Sequence, residues 1–264
     1  MKVCVLQPDY STTGVDYKYY DPPRNLSSLL PEHQVDHVFL NKLTTFRQLK
    51  ELSKQGYDVF VNLCEGYLEW EVPSVELIYF LEKLNLPFTG PSSNLYDPPK
   101  ELMKYVAFTM GVSTPAYSLI EDIADPASQT KHLSYPLFIK PGKAGDSLGI
   151  DAGSLLNNKE ELIKKVNELF EEYGPLLVEE YIDGREFTVL VSADPNDPGR
   201  SRTFTPIEYI FPAGNRFKIY SLKTSELHPE CNIPVADKKI EAELRDAASK
   251  IFRGAGAVGY GRLD

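Results

Sequence analysis

The stretch LLVEEYIDGREFTVLV, residues 176–191, decides how this chain can fold. It contains one run rich in β-branched and aromatic residues, 176–182, and most of a second, 186–193, which predict two strands joined by an Asp-Gly turn. The predicted loop DPNDPGRSR then leads to a third predicted strand, 203–211. Strands that follow one another through short connections favour an antiparallel sheet.

Three carboxylates, Glu179, Glu180 and Glu186, lie within these predicted strands. Side chains alternate between the two faces of a strand, so Glu179 and Glu180 point in opposite directions. One of them must therefore face the interior or a cleft, where it needs an ion pair or a hydrogen bond. An ion pair with Arg185 or a lysine is the favoured interpretation of these residues alone, and a hydrogen bond from an adenine amino group is the alternative.

A glycine-bearing segment, PLFIKPGKAGDSLGI, occupies residues 136–150. A predicted strand, 135–140, ends at Lys140, and a loop with three glycines follows it. Glycines let backbone N–H groups converge on an anion, and a nearby lysine adds fixed positive charge. The segment therefore favours a phosphate-binding loop, with a flexible surface hairpin as the alternative. It is not a Walker loop, because the G-K-[ST] ending is absent.

Two further motifs lie at the end of the sequence. GAGAVGYG, residues 254–261, contains a formal G-x-G-x-x-G, but a helix is predicted before it and a strand after it, the reverse of a dinucleotide site. In the final GYGRLD, Arg262 and Asp264 are two apart on a predicted strand and share a face. They can form a salt bridge, or they can place a cation beside a metal-binding carboxylate.

The rest of the sequence alternates predicted strands with predicted helices, which is typical of α/β folds. A small β-α-β-α domain is predicted from elements at 3–6, 43–55, 58–63 and 72–84. Later helices are predicted at 100–110, 159–173 and 237–252. The helix at 159–173 has Asn158 as its expected N-cap and Gly174 after its last turn.

The composition is that of a globular protein and excludes some classes of partner. Of the 264 residues, 38 are acidic and 28 basic, giving a net charge of −10, whereas a nucleic-acid surface needs clustered Lys and Arg. The three cysteines form no metal-ligand pattern, and their odd number favours a reducing compartment. No apolar run approaches the length of a membrane helix. We therefore expect a cytoplasmic protein with no nucleic-acid or membrane partner.

Taken in order and spacing, these segments resemble the ATP-grasp fold of the D-alanine–D-alanine ligase family. The resemblance covers residues 58–264 and rests on LEKLNLPFTG, KELMKYVAFTMGVSTPAY, FIKP, VEEYIDGREFTV and GYGRLD. It implies an α/β protein of the α+β ATP-grasp type with an antiparallel sheet. It also implies an N-terminal Rossmann-like, pre-ATP-grasp domain (1–95), a small ATP-grasp subdomain (96–185) and the start of a large subdomain (186–264).

An activity is implied by the same resemblance. The family's reaction is a carboxylate–amine ligation that converts ATP to ADP and phosphate through an acyl phosphate, with Mg²⁺ or Mn²⁺ as the metal. Its catalysis is mostly stabilisation of charge. For this chain the resemblance implies an amino acid or a small peptide as substrate, and a homodimer by analogy with the family.

Site residues are implied position by position. The resemblance implies that the phosphates are bound by Lys100, Lys140, Ser147 and Lys223. It implies that Arg262 stabilises the transferring phosphoryl group and that Asp264 binds the metal. For the nucleoside it implies Glu179 as acceptor from the adenine amino group, Glu180 and Ile182 as hinge backbone, Tyr181 against the base and Glu186 on the ribose hydroxyls.

The sequence also departs from the family. Asp146 stands where the ligases carry a serine in the phosphate loop, and no Glu and Asn follow the R-x-D strand to complete the metal site. We therefore expect a C-terminally incomplete chain, either a fragment of a longer protein or a degenerate family member. A non-catalytic nucleotide-binding module is the main alternative to a ligase. A third interpretation is an α/β protein whose lysines and glutamates form surface ion pairs.

Overall fold

The structure of the protein is a computed structural model. It describes residues 1–14, 21–145, 147–211, 217 and 231–264. These residues form two compact units, 1–96 with 258–260 and 97–257 with 261–264. Within this described part of the chain, no helix is both long enough and apolar enough to cross a membrane.

The first unit contains a parallel three-stranded sheet and two helices. Its elements are β1 (Lys2–Pro8), β2 (Gln34–Leu40), α1 (Thr45–Leu52), β3 (Val59–Asn62) and α2 (Val75–Lys83). Strand β1 is central, with β2 on one side and β3 on the other, and it is buried along nearly its whole length. Such burial is usual for the middle of a parallel sheet. Strand β2 is a half-buried edge strand that the sequence pattern did not predict.

An antiparallel four-stranded sheet opens the second unit. Its strands are β4 (Tyr117–Ile120), β5 (Leu137–Pro141), β6 (Leu155–Leu156) and β7 (Leu176–Glu180), in the order β4-β7-β5-β6. The accompanying helices are α3 (Lys100–Thr109), α4 (Pro126–Gln129) and α5 (Lys159–Tyr173). Helix α5 packs Leu162 and Val166 into a core with Ile139 and Val178. Because side chains alternate along β7, Glu179 lies on the other face of this sheet.

A second sheet completes the second unit. Its strands are β8 (Glu186–Asp194), β9 (Asp197–Thr203), β10 (Ile207–Tyr209), β11 (Asn232–Pro234) and β12 (Tyr260–Leu263). Their order is β11-β10-β8-β12, with β9 also paired with β8. Helix α6 (Lys238–Gly254) packs Ala248 and Phe252 into a core with Val189 and Val191.

Local capping signals predicted the long helices well. Helix α5 has the bounds expected from the sequence, because the Asn158 side chain accepts a hydrogen bond from the Glu161 N–H at 2.9 Å and Gly174 follows with φ 66°. Helix α6 begins after its cap Asp237 and runs two residues beyond the predicted end. Glycines and then strand β12 follow it, so the helix–glycine–strand order expected at GAGAVGYG is confirmed.

Two expectations about the second unit were wrong. Strands β7 and β8 are not neighbours in one sheet, because β7 pairs with β4 and β5 whereas β8 pairs with β9 and β10. Residues 181–185 therefore cross from one sheet to the other. The predicted loop after β8 is largely strand β9, because the chain turns back at residues 195–196 and pairs antiparallel with β8, with a register shift between Ala193 and Asp194.

Candidate functional site

A cavity of about 430 Å³ in the second unit is lined by both of its sheets. This volume is in the usual range for small-molecule sites. Nine of the eleven sequence-predicted site residues line it: Lys100, Lys140, Ser147, Glu179, Glu180, Tyr181, Ile182, Glu186 and Asp264. Arg262 is not part of the lining but is paired with Asp264. Lys223 lies outside the described residues.

Glu179 is the buried acidic group of this cavity. Its Oε1 accepts a hydrogen bond from Lys140, and its Oε2 lies 2.7 Å from the ammonium of Lys104. Burial by itself raises the pKa of Glu179, but the charges and hydrogen bonds of Lys140 and Lys104 outweigh burial and hold that pKa below its ordinary value. The carboxylate is therefore ionised and acts only as an acceptor. The favoured interpretation from sequence, an ion pair with a lysine, is confirmed with two lysines.

Lys104 is a residue that the sequence analysis missed. Its side chain on α3 is only 9% exposed, and its ammonium also donates to the Pro115 carbonyl at 3.1 Å and lies 5.0 Å from the centre of the Tyr117 ring. One sequence signal could have identified it. It follows Lys100 by four residues on the same helix, which places both side chains on one face.

Three aromatic side chains form an apolar part of the lining. The Phe138 and Phe217 rings are edge to face with centroids 4.8 Å apart, and Tyr181 lies 6.2 Å from Phe138 at an interplanar angle of 30°. Only Tyr181 was predicted. Phe138 could have been found, because it is two residues before Lys140 on β5 and so faces the same side. Such a wall suits a planar ligand.

The glycine-bearing loop is fastened at several points. Lys100 donates from its backbone to the Gly142 carbonyl at 3.0 Å and from its ammonium to the Ala144 carbonyl at 2.5 Å. The Gly142 N–H donates to the Pro175 carbonyl at 2.9 Å. Ser147 has φ 59°, which is unusual for a residue with a side chain. These hydrogen bonds hold residues 142 and 144 against Lys100 and Pro175 beside the cavity. Asp146 lies outside the described residues.

Two glycines of this loop occupy positions where a larger side chain would clash or strain the backbone. A Cβ on Gly142 would lie 2.8 Å from the Pro175 carbonyl oxygen, and Gly149 has φ 71°. Either feature alone disfavours a larger residue. The glycine spacing that predicted a phosphate-binding loop therefore has a structural cause in packing and backbone conformation.

The segment that crosses between the sheets borders the cavity. The Glu180 N–H donates to the Ala116 carbonyl at 3.0 Å, and the Glu180 carboxylate accepts from the Ser134 N–H at 2.8 Å. Beyond the crossing, Glu186 on β8 lies opposite Tyr209 on β10, and both line the cavity. The crossing segment and strands β8 and β10 therefore all border the cavity.

The R-x-D motif places a cation and a carboxylate side by side at the end of β12. Arg262 Nε lies 3.3 Å from Asp264 Oδ1, so the salt bridge allowed by the sequence is present. Among the described residues, no three His, Cys, Asp or Glu side chains are grouped so as to hold a metal ion. Asp264 fits Mg²⁺ only as one protein ligand to an ion whose other ligands are phosphate and water.

Comparison with known protein families agrees with these observations. The family model described as D-ala D-ala ligase C-terminus matches residues 106–264, more than half of the chain. The D-alanine–D-alanine ligase of Bordetella petrii is 29% identical over 221 residues, which are 83% of this chain and 64% of that protein. That of a Marinomonas species is 32% identical over 187 residues, 70% of this chain and 56% of that protein. The chain spans less than two thirds of the length of these two relatives.

Solved structures give the same fold. The D-alanine–D-alanine ligase of Bacillus anthracis complexed with ATP has a TM-score of 0.69 and 17% identity, covering 100% of this chain and 81% of that chain. The VanG D-Ala:D-Ser ligase of Enterococcus faecalis has a TM-score of 0.68 and 18% identity, covering 99% and 84%. The expected α/β fold with antiparallel ATP-grasp sheets is thereby confirmed. With its second unit matched by the family model and its fold by these ligases, the chain belongs to the D-alanine–D-alanine ligase family.

Proposed function

We propose that this chain binds ATP in the cavity of its second unit and takes part in an ATP-dependent carboxylate–amine ligation. The main support for this proposal is the set of side chains that line one cavity. It joins the buried carboxylate of Glu179, the aromatic side chains of Phe138 and Tyr181, and the ammonium groups of Lys100 and Lys140. A purine base needs the first two features and a triphosphate needs the third.

The nucleoside end of the proposed site is built from β7, the crossing segment and β8. Glu179 accepts a hydrogen from the adenine amino group, and the backbone at Glu180 and Ile182 borders the same edge of the base. Tyr181 packs on the base, adding an apolar contact with an aromatic ring. Glu186 accepts from the ribose hydroxyls. Position and residue type support each of these roles, because all five residues line one cavity.

The phosphate end of the proposed site is built from α3, β5 and the glycine-bearing loop. The ammonium of Lys100 now donates to Ala144 and that of Lys140 to Glu179. We propose that both turn to the α- and β-phosphates when nucleotide binds, and that Ser147 and loop amides donate to the β- and γ-phosphates. The loop amides are fixed donors, which stabilise charge as it develops without reorganising. Lys223 and Arg262 are proposed as further cations for the phosphates.

The reaction proposed for the site is transfer of the γ-phosphoryl group to a substrate carboxylate, followed by attack of an amine on the acyl phosphate. The products are an amide, ADP and phosphate, and the substrate class is an amino acid or small peptide. Mg²⁺ or Mn²⁺ would supply neutralisation of phosphate charge. Asp264 would hold that ion together with phosphate oxygens, and the Arg262 guanidinium beside Asp264 would stabilise the transferring group.

A second candidate function is nucleotide binding without catalysis. The observation that favours it is the metal-ligand set, since the described residues provide no group of three ligands for an ion. The retained lysines, Glu179 and Glu186 favour nucleotide binding in both cases. Turnover separates the two functions.

We also propose where the protein acts and how it is organised. Cysteine usage and the family support a cytoplasmic protein that acts on small molecules, and family analogy supports a homodimer. The two sheets of the second unit support a division into subdomains at 96–185 and 186–264, after an N-terminal domain at 1–95.

The test of the proposed function measures phosphate release from MgATP by the 264-residue chain, with and without a panel of amino acids and dipeptides. We expect release that depends on one class of added substrate and is lost in Lys140→Ala. ATP-dependent thermal stabilisation, measured in parallel, reports binding by mass action. Stabilisation without release would support the non-catalytic module. If ATP causes no stabilisation and no phosphate is released, both proposed functions would be overturned.

A further inference from the structure

Two lysines share the carboxylate of Glu179, and their surroundings differ. Lys140 comes from β5, lines the cavity and has a side chain that is 22% exposed. Lys104 comes from α3, is 9% exposed and does not line the cavity. It is fixed by three partners at once: Glu179, the Pro115 carbonyl and the Tyr117 ring. Only one of the two ammonium groups can therefore reach a bound ligand.

We propose that Lys104 is a positioning residue for recognition of the nucleobase. It stays on Glu179 as a permanent counter-ion, while Lys140 leaves Glu179 for the phosphates when a nucleotide binds. This inference rests on the proposed function, because it assigns a role within the ATP site.

The arrangement of the two carboxylate oxygens supports this division of roles. Lys104 holds Oε2 and Lys140 holds Oε1, so departure of Lys140 exposes Oε1 to the cavity and leaves Oε2 occupied. The free oxygen can then accept a hydrogen from a 6-amino group. A buried carboxylate with no remaining cation would instead tend to take up a proton, and a protonated carboxyl no longer discriminates between donors and acceptors.

A specificity consequence follows for the base. An ionised acceptor at this point favours a purine that carries a 6-amino group over one that lacks it, because only the first supplies a hydrogen-bond donor. Without Lys104, Lys140 is the sole cation on Glu179 and keeps Oε1 occupied. The preference for the amino group should then fall, and affinity for triphosphates should fall for every base.

The experiment uses the 264-residue chain and compares ATP with purine riboside triphosphate, which lacks the 6-amino group, by calorimetry. In Lys104→Met we expect the affinity ratio of the two nucleotides to drop about tenfold, the size of one hydrogen bond to a charged group. Lys104→Gln keeps a donor for Pro115 but removes the charge, and the same drop is expected. In Lys140→Met the ratio should be retained while both affinities fall.

A matched control is available in the same unit. Lys165 is as buried as Lys104 and is paired with Asp151 at 2.8 Å, but it does not line the cavity. Lys165→Met should lower thermal stability without changing the affinity ratio. In the Glu179→Gln background, Lys104→Met should change the ratio no further, because the two residues act through one bond.

The outcomes distinguish failure of the proposed ATP binding from failure of the role proposed for Lys104. Failure of the unsubstituted chain to bind either nucleotide would overturn the proposed function and this inference together. An unsubstituted chain that prefers ATP, with the same preference in Lys104→Gln or Lys104→Met, would overturn this inference alone. If Lys104→Met does not fold, Lys104→Gln and Lys140→Met provide the test. A lower ratio of ATP affinity to purine riboside triphosphate affinity in Lys140→Met would contradict the roles assigned to the two lysines.

Discussion

Arg185 and Glu208 form a two-pronged ion pair in which Nε and Nη2 of the guanidinium each lie 2.6 Å from a separate carboxylate oxygen. Arg185 ends the segment that crosses between the two sheets of the second unit, and Glu208 lies on β10. The neighbours of this pair, Glu186 and Tyr209, are opposite each other and line the cavity. The ion pair therefore fixes the end of the crossing segment to the sheet that carries Glu186.

The first prediction concerns this ion pair and pH. The hydrogen bond from Arg185 holds the pKa of Glu208 below its ordinary value. A lowered carboxyl pKa contributes stability above the unfolded pKa, and that stability is lost as the pH falls through the folded pKa. The Arg185 side chain is 51% exposed, so solvent screening keeps the contribution modest. We expect Glu208→Gln to lower the free energy of unfolding by about 1 kcal/mol at neutral pH.

Urea unfolding at neutral and at acidic pH measures this effect. The difference between Glu208→Gln and the unsubstituted chain should shrink toward acidic pH, where the carboxylate is protonated in both states. Glu51→Gln is the control, because Glu51 is paired with Lys54 on an exposed surface, where ion pairs contribute little. A pH-independent loss in Glu208→Gln would show that packing, not charge, accounts for the effect.

A second prediction separates two glycines of the second unit. Gly149 has φ 71°, and a Cβ there would lie 2.9 Å from Pro141 Cγ, whereas a Cβ on Gly184 meets nothing within 4 Å. Gly149→Ala combines backbone strain with crowding, so we expect a loss of about 1–3 kcal/mol in the free energy of unfolding. Gly184→Ala should stay within about 0.5 kcal/mol of the unsubstituted chain. Chemical denaturation checks both, and equal effects would contradict the conformational argument.

The parts of the fold that could be predicted from sequence are those decided by neighbouring residues. Helix α5 needs only its apolar spacing, the cap at Asn158 and the glycine at 174, all within one short window. Strand β9 depends on pairing with β8 through a turn at 195–196, and its proline- and glycine-containing sequence indicated a loop. The placement of β7 and β8 in different sheets depends on partners far along the chain, which periodicity cannot supply.

The same distinction holds for the candidate site. Glu179 and Lys140 were found because each lies in a strand or loop motif with a resemblance to known ligases. Lys104 was missed because its importance comes from a contact with Glu179, on a different element. Phe217 was missed because its value lies in an edge-to-face contact with Phe138, which only the folded chain creates. The sequence could therefore predict which residue types belong to the site, but it could not predict which of their side chains contact each other.

A third prediction tests the aromatic lining. Tyr181→Ala removes a ring from the wall of the cavity, and we expect about a tenfold loss of ATP affinity, the size of one base–aromatic contact. Tyr181→Phe keeps the ring and should bind ATP within a factor of about two, as expected when only a hydroxyl is lost at a partly exposed position. Calorimetry with ATP and with tripolyphosphate separates base from phosphate contacts. An equal loss for tripolyphosphate in Tyr181→Ala would contradict a role in base packing.

A fourth prediction concerns the cysteines. Cys4 and Cys64 are buried in the core of the first unit, and Cys231 is partly exposed. Burial raises the pKa of Cys4 to about 12 and also raises the pKa of Cys64, so neither forms a thiolate at neutral pH. Their contribution to stability is present below the thiol's ordinary pKa of about 8.5 and is lost as the pH rises toward the folded pKa.

Alkylation with iodoacetamide, followed by mass spectrometry, measures the difference in reactivity between the buried cysteines and Cys231. At neutral pH Cys231 should be modified first, and Cys4 and Cys64 only after urea has unfolded the first unit, because a thiol must be both accessible and ionised to react. Cys231→Ser is the control and should leave the folded chain nearly unmodified. Rapid modification of Cys4 in the folded control variant would mean that β1 opens to solvent, and the buried central strand described for the first unit would then be incorrect.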